Sequence, residues 1–200
     1  SQQRTSVMII PTNTKKVLAR RALPASYGRA TTTFIERQSV NVAEAARQFR
    51  EFLALVDAAG FPLERLNPLA MPDEVFLQDH GLSLGEEFLL ANLTTMRRKE
   101  LPPTTVYLRK LNVKLIPPPL HVNFEGGDTV TAWTETRSKK TIFVGQRSQK
   151  NPRTNRAAFD WVKEHGERLG HTVIPVPFER CLHLSTGASF IGNGRGSRKP

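Results

Sequence analysis

The chain has 200 residues, and its 29 lysines and arginines outweigh 18 acids to leave a formal charge of +11. Hydrophobic residues at 38% and charged residues at 24% describe a globular chain able to bury a core, and exclude a disordered one. A single cysteine excludes an internal disulfide and a cysteine-built zinc cage, and no apolar run reaches the ~20 residues of a membrane span.

The basic excess is dispersed. Its densest stretches, Arg97-Arg98-Lys99, Arg137 to Lys140 and Arg195 to Lys199, read as solvated loops and a tail. Aromatic residues amount to 8%, without the stacking clusters of a single-strand binder, so a nucleic-acid partner is not expected. Residues 1–35 hold six basic residues and no acid, the composition of a mitochondrial leader, yet Val7 to Ile10 and Val17 to Ala19 are patterned as strands. The cytoplasm is the expected compartment, with the mitochondrion as the alternative.

In chain order, Val42, Ala45, Phe49, Phe52, Leu53 and Val56 form a helical stripe that predicts a helix to Ala59, stopped by Gly60. Val75-Phe76-Leu77 predicts a strand, paired across a loop containing Gly85 with Glu87 to Asn92. Leu101 to Leu115 is ambiguous: Pro102-Pro103 can open a short helix, and Val113 to Ile116 reads as a strand. Pro117 to Pro119 force an extended turn. Thr129 to Trp133 and Thr141 to Gly145 predict a hairpin about the loop Glu135 to Lys140. Ala157 to Leu169 predicts a helix capped by Asn155, and Thr172 to Val176 a strand. The rhythm of strand, strand, helix, strand recurs roughly every sixty residues, an α/β pattern with internal pseudo-repeats and no linker to split it. One domain over residues 1–194 is expected, followed by a disordered basic tail at 195–200.

Two polar interruptions stand out. Glu125-Gly126-Gly127-Asp128 sets two carboxylates around bare backbone, and His183 lies between Leu182 and Leu184 in what reads as a strand end. A carboxylate and a histidine brought together by the fold can act as an acid/base pair. Each also has a plain reading, Asp128 as a turn aspartate and His183 as a hydrogen-bonded core residue. The remaining histidines, His80, His121, His165 and His171, lack ligand spacing, so no metal is expected.

Taken as a set, Arg21 to Pro24, Pro72 to Asp79, Arg97 to Glu100, Glu125 to Asp128, Phe143 to Gly145, Arg153 to Asn155 and Leu182 to Leu184 resemble, in order and spacing, the dimethylarginine dimethylaminohydrolases. These are members of the arginine-modifying amidinotransferase superfamily, and the resemblance runs from about Ala19 to Thr186. It implies five ββαβ units about a pseudo-fivefold axis with a central active site, here expected to be incomplete for want of the last repeat. It also implies His183 as catalytic histidine with Glu125 as its paired carboxylate. Asp73, Gln78 and Asp79 would lie at the substrate's guanidinium, and Arg98 and Arg153 at its α-carboxylate. The implied reaction turns methylated arginine into citrulline and an alkylamine through a cysteine adduct, with no cofactor. A small guanidino substrate is the implied partner, and a homodimer is compatible with the resemblance.

The chain departs from that pattern in two places. Gln78 stands where the family has glutamate, removing a negative charge beside a cationic substrate. The family's nucleophilic cysteine follows the histidine, whereas the sole cysteine here, Cys181, precedes His183. Cys181 is therefore expected to be a small apolar neighbour, and the 200 residues to lack the nucleophile. Arg147 competes with Arg153 for the carboxylate. An arginine deiminase or amidinotransferase, or a non-catalytic relative that binds guanidino ligands or anionic partners, is the alternative.

Overall fold

The computed structural model describes residues 8–10, 16–21, 40–71, 73–133, 139–148 and 152–190. The basic loop at 134–138, the motif residues 22–24 and Pro72, and the tail at 195–200 lie outside them. Backbone contacts group the chain into two compact units, residues 1–117 and 118–200.

Among the described residues one supersecondary pattern is written three times: two antiparallel strands, a helix, and a third strand running parallel to the second. In the first unit it appears as β1 (Met8–Ile10), β2 (Lys16–Arg20), α1 (Val42–Ala58) and β3 (Leu63–Leu66). It recurs there as β4 (Gly81–Ser83), β5 (Glu87–Leu90), α2 (Leu101–Lys110) and β6 (Lys114–Ile116). In the second unit it comprises β7 (Thr129–Trp133), β8 (Lys140–Gln146), α3 (Arg156–Arg168) and β9 (Thr172–Pro177). Each module is one three-stranded sheet whose third strand needs the helix as its crossover, because parallel neighbours cannot be joined by a tight turn.

Local chemistry explains the boundaries. Asn41 caps α1 by accepting from the Glu44 amide at 3.0 Å, and Ala45, Phe49 and Leu53 form its buried stripe. Pro102 and Pro103 occupy the first turn of α2, where a missing N–H costs nothing. Leu18, Leu77, Phe88, Leu108 and Val113 form one apolar cluster that joins both modules of the first unit. In the second unit Phe124 meets Trp161 edge to face at 5.7 Å, and Ile142, Val144, Val162 and Val173 are buried. No helix among the described residues is long and apolar enough to cross a membrane.

Two expectations are corrected, and one strand was not expected. Val75 to Leu77 is a turn leading into a 3-10 turn, Leu77–His80, and the strand begins only at Gly81. Gly81 has φ +152°, and a Cβ there would lie 2.1 Å from the Leu89 carbonyl oxygen, so the hairpin closes because this position is glycine. The strand β3 has no counterpart among the expected elements. Its four residues Leu-Glu-Arg-Leu show no alternation, and pairing with β2 alone defines it. His183 is not in a strand: it caps the four-residue helix α4 (Leu184–Gly187) after a bend at Arg180 to Leu182.

Candidate acid–base site

The second unit assembles its polar site from three segments. The first, residues 121–125, leads out of a turn without regular secondary structure and is pinned to the start of α3 by successive residues of Arg153-Thr154-Asn155. Asn155 accepts from the Ala158 amide at 2.9 Å as the helix cap. Its side-chain amide donates to the His121 carbonyl at 2.9 Å, and its backbone N–H to the Asn123 carbonyl at 3.0 Å. Thr154 Oγ1 accepts from the Glu125 amide at 3.2 Å, and Arg153 Nη1 donates to Glu125 Oε2 at 2.9 Å. The tripeptide thus fixes both the backbone and the carboxylate of Glu125.

The second segment is the 3-10 turn Gly126–Asp128, closed by the Asp128 amide donating to the Glu125 carbonyl at 3.0 Å. It turns the chain so that Glu125 and Asp128, both buried, stand at either end of two glycines.

The third segment carries His183, 4% exposed. Its Nδ1 lies 3.1 Å from Asp128 Oδ1 and its Nε2 3.5 Å from Glu125 Oε2, so one imidazole faces two carboxylates. Thr186 Oγ1 donates to the His183 carbonyl at 2.6 Å and accepts from its amide at 3.3 Å, holding the backbone at that point. Gly145 on β8 lets this segment close on the sheet. A Cβ there would meet Phe178 Cε1 at 2.4 Å and Leu184 Cβ at 3.1 Å.

A second polar cluster is buried in the first unit. Arg97 pairs with Asp79 at 2.5 Å and Glu100 at 2.8 Å, and donates to the Asp73 carbonyl at 3.2 Å. Burial works against the Arg97 charge, but Asp79 and Glu100 outweigh it and push its pKa up. Glu100 is held below the usual carboxylate range: burial opposes this, and hydrogen bonds from His80 and Arg97 prevail. His80, fully buried, hydrogen-bonds Thr104 Oγ1 at 2.9 Å and lies 3.5 Å from Glu100. Arg20 donates to the same Thr104 hydroxyl at 3.3 Å.

Comparison with known proteins gives these features a context. No protein-family model matches the chain. A dimethylarginine dimethylaminohydrolase of Streptomyces coelicolor is 26% identical over 184 residues, which cover 90% of this chain and 66% of that enzyme. Among solved structures, a mutant dimethylarginine dimethylaminohydrolase of Pseudomonas aeruginosa complexed with citrulline superposes with a TM-score of 0.74 at 19% identity. That match covers 88% of this chain and 65% of the enzyme. The N-terminal domain of the cyanobacterial arginine dihydrolase ArgZ, bound to product, superposes with a TM-score of 0.66 at 18% identity, covering 86% and 62%. This chain shares the fold of these arginine-modifying enzymes. It spans just under two thirds of the length of the relatives it matches.

The residues singled out from sequence divide between the two units. Glu125, Arg153 and His183 come together in the second unit. Asp73 and Asp79 are both buried in the first unit and both bonded to Arg97, Asp73 through its carbonyl, while Gln78 between them is half-buried. Arg98, by contrast, is exposed and donates to the Leu93 carbonyl at 3.4 Å, lining a shallow pocket with Asn92 and Thr105. Its neighbour Arg97 is the buried arginine, a distinction that two adjacent identical residues do not announce. Arg147 lies over the Phe178 ring at 4.4 Å. Sequence reasoning read Asp128 as a turn aspartate and gave it no part in the site. The spacing Glu-Gly-Gly-Asp was visible, but only the turn between them aims the second carboxylate at His183.

Proposed function

We propose that this chain carries the acid–base part of a hydrolase acting on Nω-methylated arginine, giving citrulline and an alkylamine. The observation that carries the reading is His183 held between Asp128 at 3.1 Å and Glu125 at 3.5 Å, in a chain similar in sequence to a dimethylarginine dimethylaminohydrolase. The full ring of five ββαβ modules belongs to the same proposal, and three written modules support it.

In this reading a cysteine thiolate attacks the guanidinium carbon and forms a C–S bond. The C–N bond to the methylated nitrogen breaks, and His183 as imidazolium delivers the proton that the departing amine needs. The neutral imidazole then takes a proton from water, whose oxygen attacks the same carbon as sulfur leaves, so one water is consumed per turnover. Glu125 favours the imidazolium through its charge. From the resemblance, Asp73, Gln78 and Asp79 are assigned to the substrate guanidinium, and Arg98 and Arg153 to its α-carboxylate. Arg153 would have to exchange its bond to Glu125 for that role.

Unmodified arginine is the second reading. Gln78 supports it by lowering the negative charge near the substrate relative to the family pattern, as does the likeness to an arginine dihydrolase. Calorimetric titration with methylarginine, arginine and citrulline separates these readings. Binding of a guanidinium compound in preference to citrulline, weakened by Glu125→Gln, is expected. Citrulline binding as tightly as either guanidinium compound overturns the proposal.

A further inference from the structure

We propose that Asp128 is a positioning residue that sets the tautomer and ring orientation of His183; this rests on the acid–base reading of that histidine and adds a residue to it. Asp128 is 2% exposed, and one oxygen, Oδ1, is used twice. It lies 3.1 Å from His183 Nδ1 and accepts from the Leu184 backbone N–H at 3.4 Å. The first contact fixes the rotation of the ring. The second fixes the backbone that carries it, at the first residue of α4.

An ionised carboxylate accepts hydrogen bonds and donates none. Whenever the imidazole is neutral, its one N–H therefore sits on Nδ1, and the Nε2 lone pair is left on the side of Glu125, 3.5 Å away. Protonation at Nε2 then yields a ring that donates to both carboxylates. Asp128 thereby assigns the ring nitrogens: Nδ1 keeps its proton throughout, and Nε2 is the atom that gains and loses one. Glu125 does not make this assignment, since Nε2 is the farther contact and Arg153 already holds its Oε2 at 2.9 Å.

The test is imidazole ¹H–¹⁵N correlation spectroscopy on the full chain, with His183 assigned by the signal lost in His183→Gln. At a pH where His183 is neutral, its proton is expected on Nδ1. In Asp128→Ala the Nε2-protonated tautomer should become the major form, while Asp128→Glu keeps the original pattern at least in part. An Nε2-protonated ring in the unsubstituted protein overturns the proposal without any variant. So does an unchanged tautomer in a folded Asp128→Ala protein. An Nδ1-protonated His183 in a chain that binds no guanidinium compound would retain Asp128's role and remove the functional reading. Guanidinium binding with His183 protonated on Nε2 would do the reverse.

Discussion

Arg153 Nη1 lies 2.9 Å from Glu125 Oε2, pairing a guanidinium that is 21% exposed with a carboxylate that is 1% exposed. The carboxylate is thereby balanced although it is out of water. Removing the arginine leaves a buried charge with one cation fewer, which costs about 3–5 kcal/mol in fully buried pairs and less where one partner meets solvent. Arg153→Ala is expected to lower stability by roughly 1–3 kcal/mol, and Arg153→Lys by about half that, as one cationic donor survives without the guanidinium fork. Urea denaturation at neutral pH measures both. An alanine variant as stable as the parent chain would show that the pair is incidental.

Gly145 connects sheet packing to the histidine. Its missing Cβ is the space into which Phe178 and Leu184 fit, at 2.4 Å and 3.1 Å from where that atom would sit. Gly145→Ala must push one or both away, and overpacking of this kind typically costs about 1–3 kcal/mol. Because Leu184 adjoins His183, the substitution should also shift the His183 imidazole resonances. Adding Phe178→Ala relieves the ring clash and should recover part of the stability but little of the histidine shift. Unaltered stability together with unaltered resonances would mean that this close approach does not locate His183.

The two long helices, α1 and α3, were the most legible part of the fold, because their signals are local: an apolar stripe stopped by Gly60 in the first and a capping asparagine at 155 in the second. The β7–β8 hairpin was legible for the same reason, as alternation on both sides of a loop. What failed depended on partners distant in sequence. Val75 to Leu77 has strand-like residues, yet Leu77 is used as a core plug in a turn. His183 looked like a strand residue because Leu182 and Leu184 flank it. Its actual place is set by Asp128, 55 residues earlier, and by Thr186. Of the two arginines 97 and 98, burial among acids distinguishes the first, and neither charge nor spacing in the sequence encodes that.

His80 makes the first unit sensitive to acid. Burial holds its pKa below the ordinary 6.5; Glu100 pulls the other way, while the Arg97 and Arg20 charges add to the lowering. The unfolded chain takes up a proton near pH 6.5 and the folded chain does not until lower pH. The stabilisation is present above 6.5 and is lost as pH falls from there toward the folded-state pKa. Glu100, also lowered, adds a second loss below its ordinary 4.5. The free energy of unfolding should fall between pH 7 and pH 5, by at most about 1.4 kcal/mol per pH unit for one proton. His80→Gln should flatten that limb and leave the lower one. An equal slope in parent and variant would assign the acid sensitivity elsewhere.

Cys181 is the only thiol in the 200 residues, and its chemistry decides whether they can turn over substrate unaided. Its side chain is half-buried against Gly187, where an added Cβ would lie 3.1 Å from Sγ. It precedes His183 by two residues across a bend rather than along a strand, so the same-face argument that strand spacing would supply does not apply. A histidine and carboxylates can bind and polarise a guanidinium, but attack on a resonance-stabilised cation needs a strong nucleophile, and water alone is a poor one. Removing the nucleophile from a group that works as a unit lowers rate by several orders of magnitude. These 200 residues are therefore expected to release citrulline from methylarginine at a rate indistinguishable from background, with Cys181→Ala no slower. Citrulline formation that is fast in the parent chain and abolished in Cys181→Ala would make Cys181 the nucleophile.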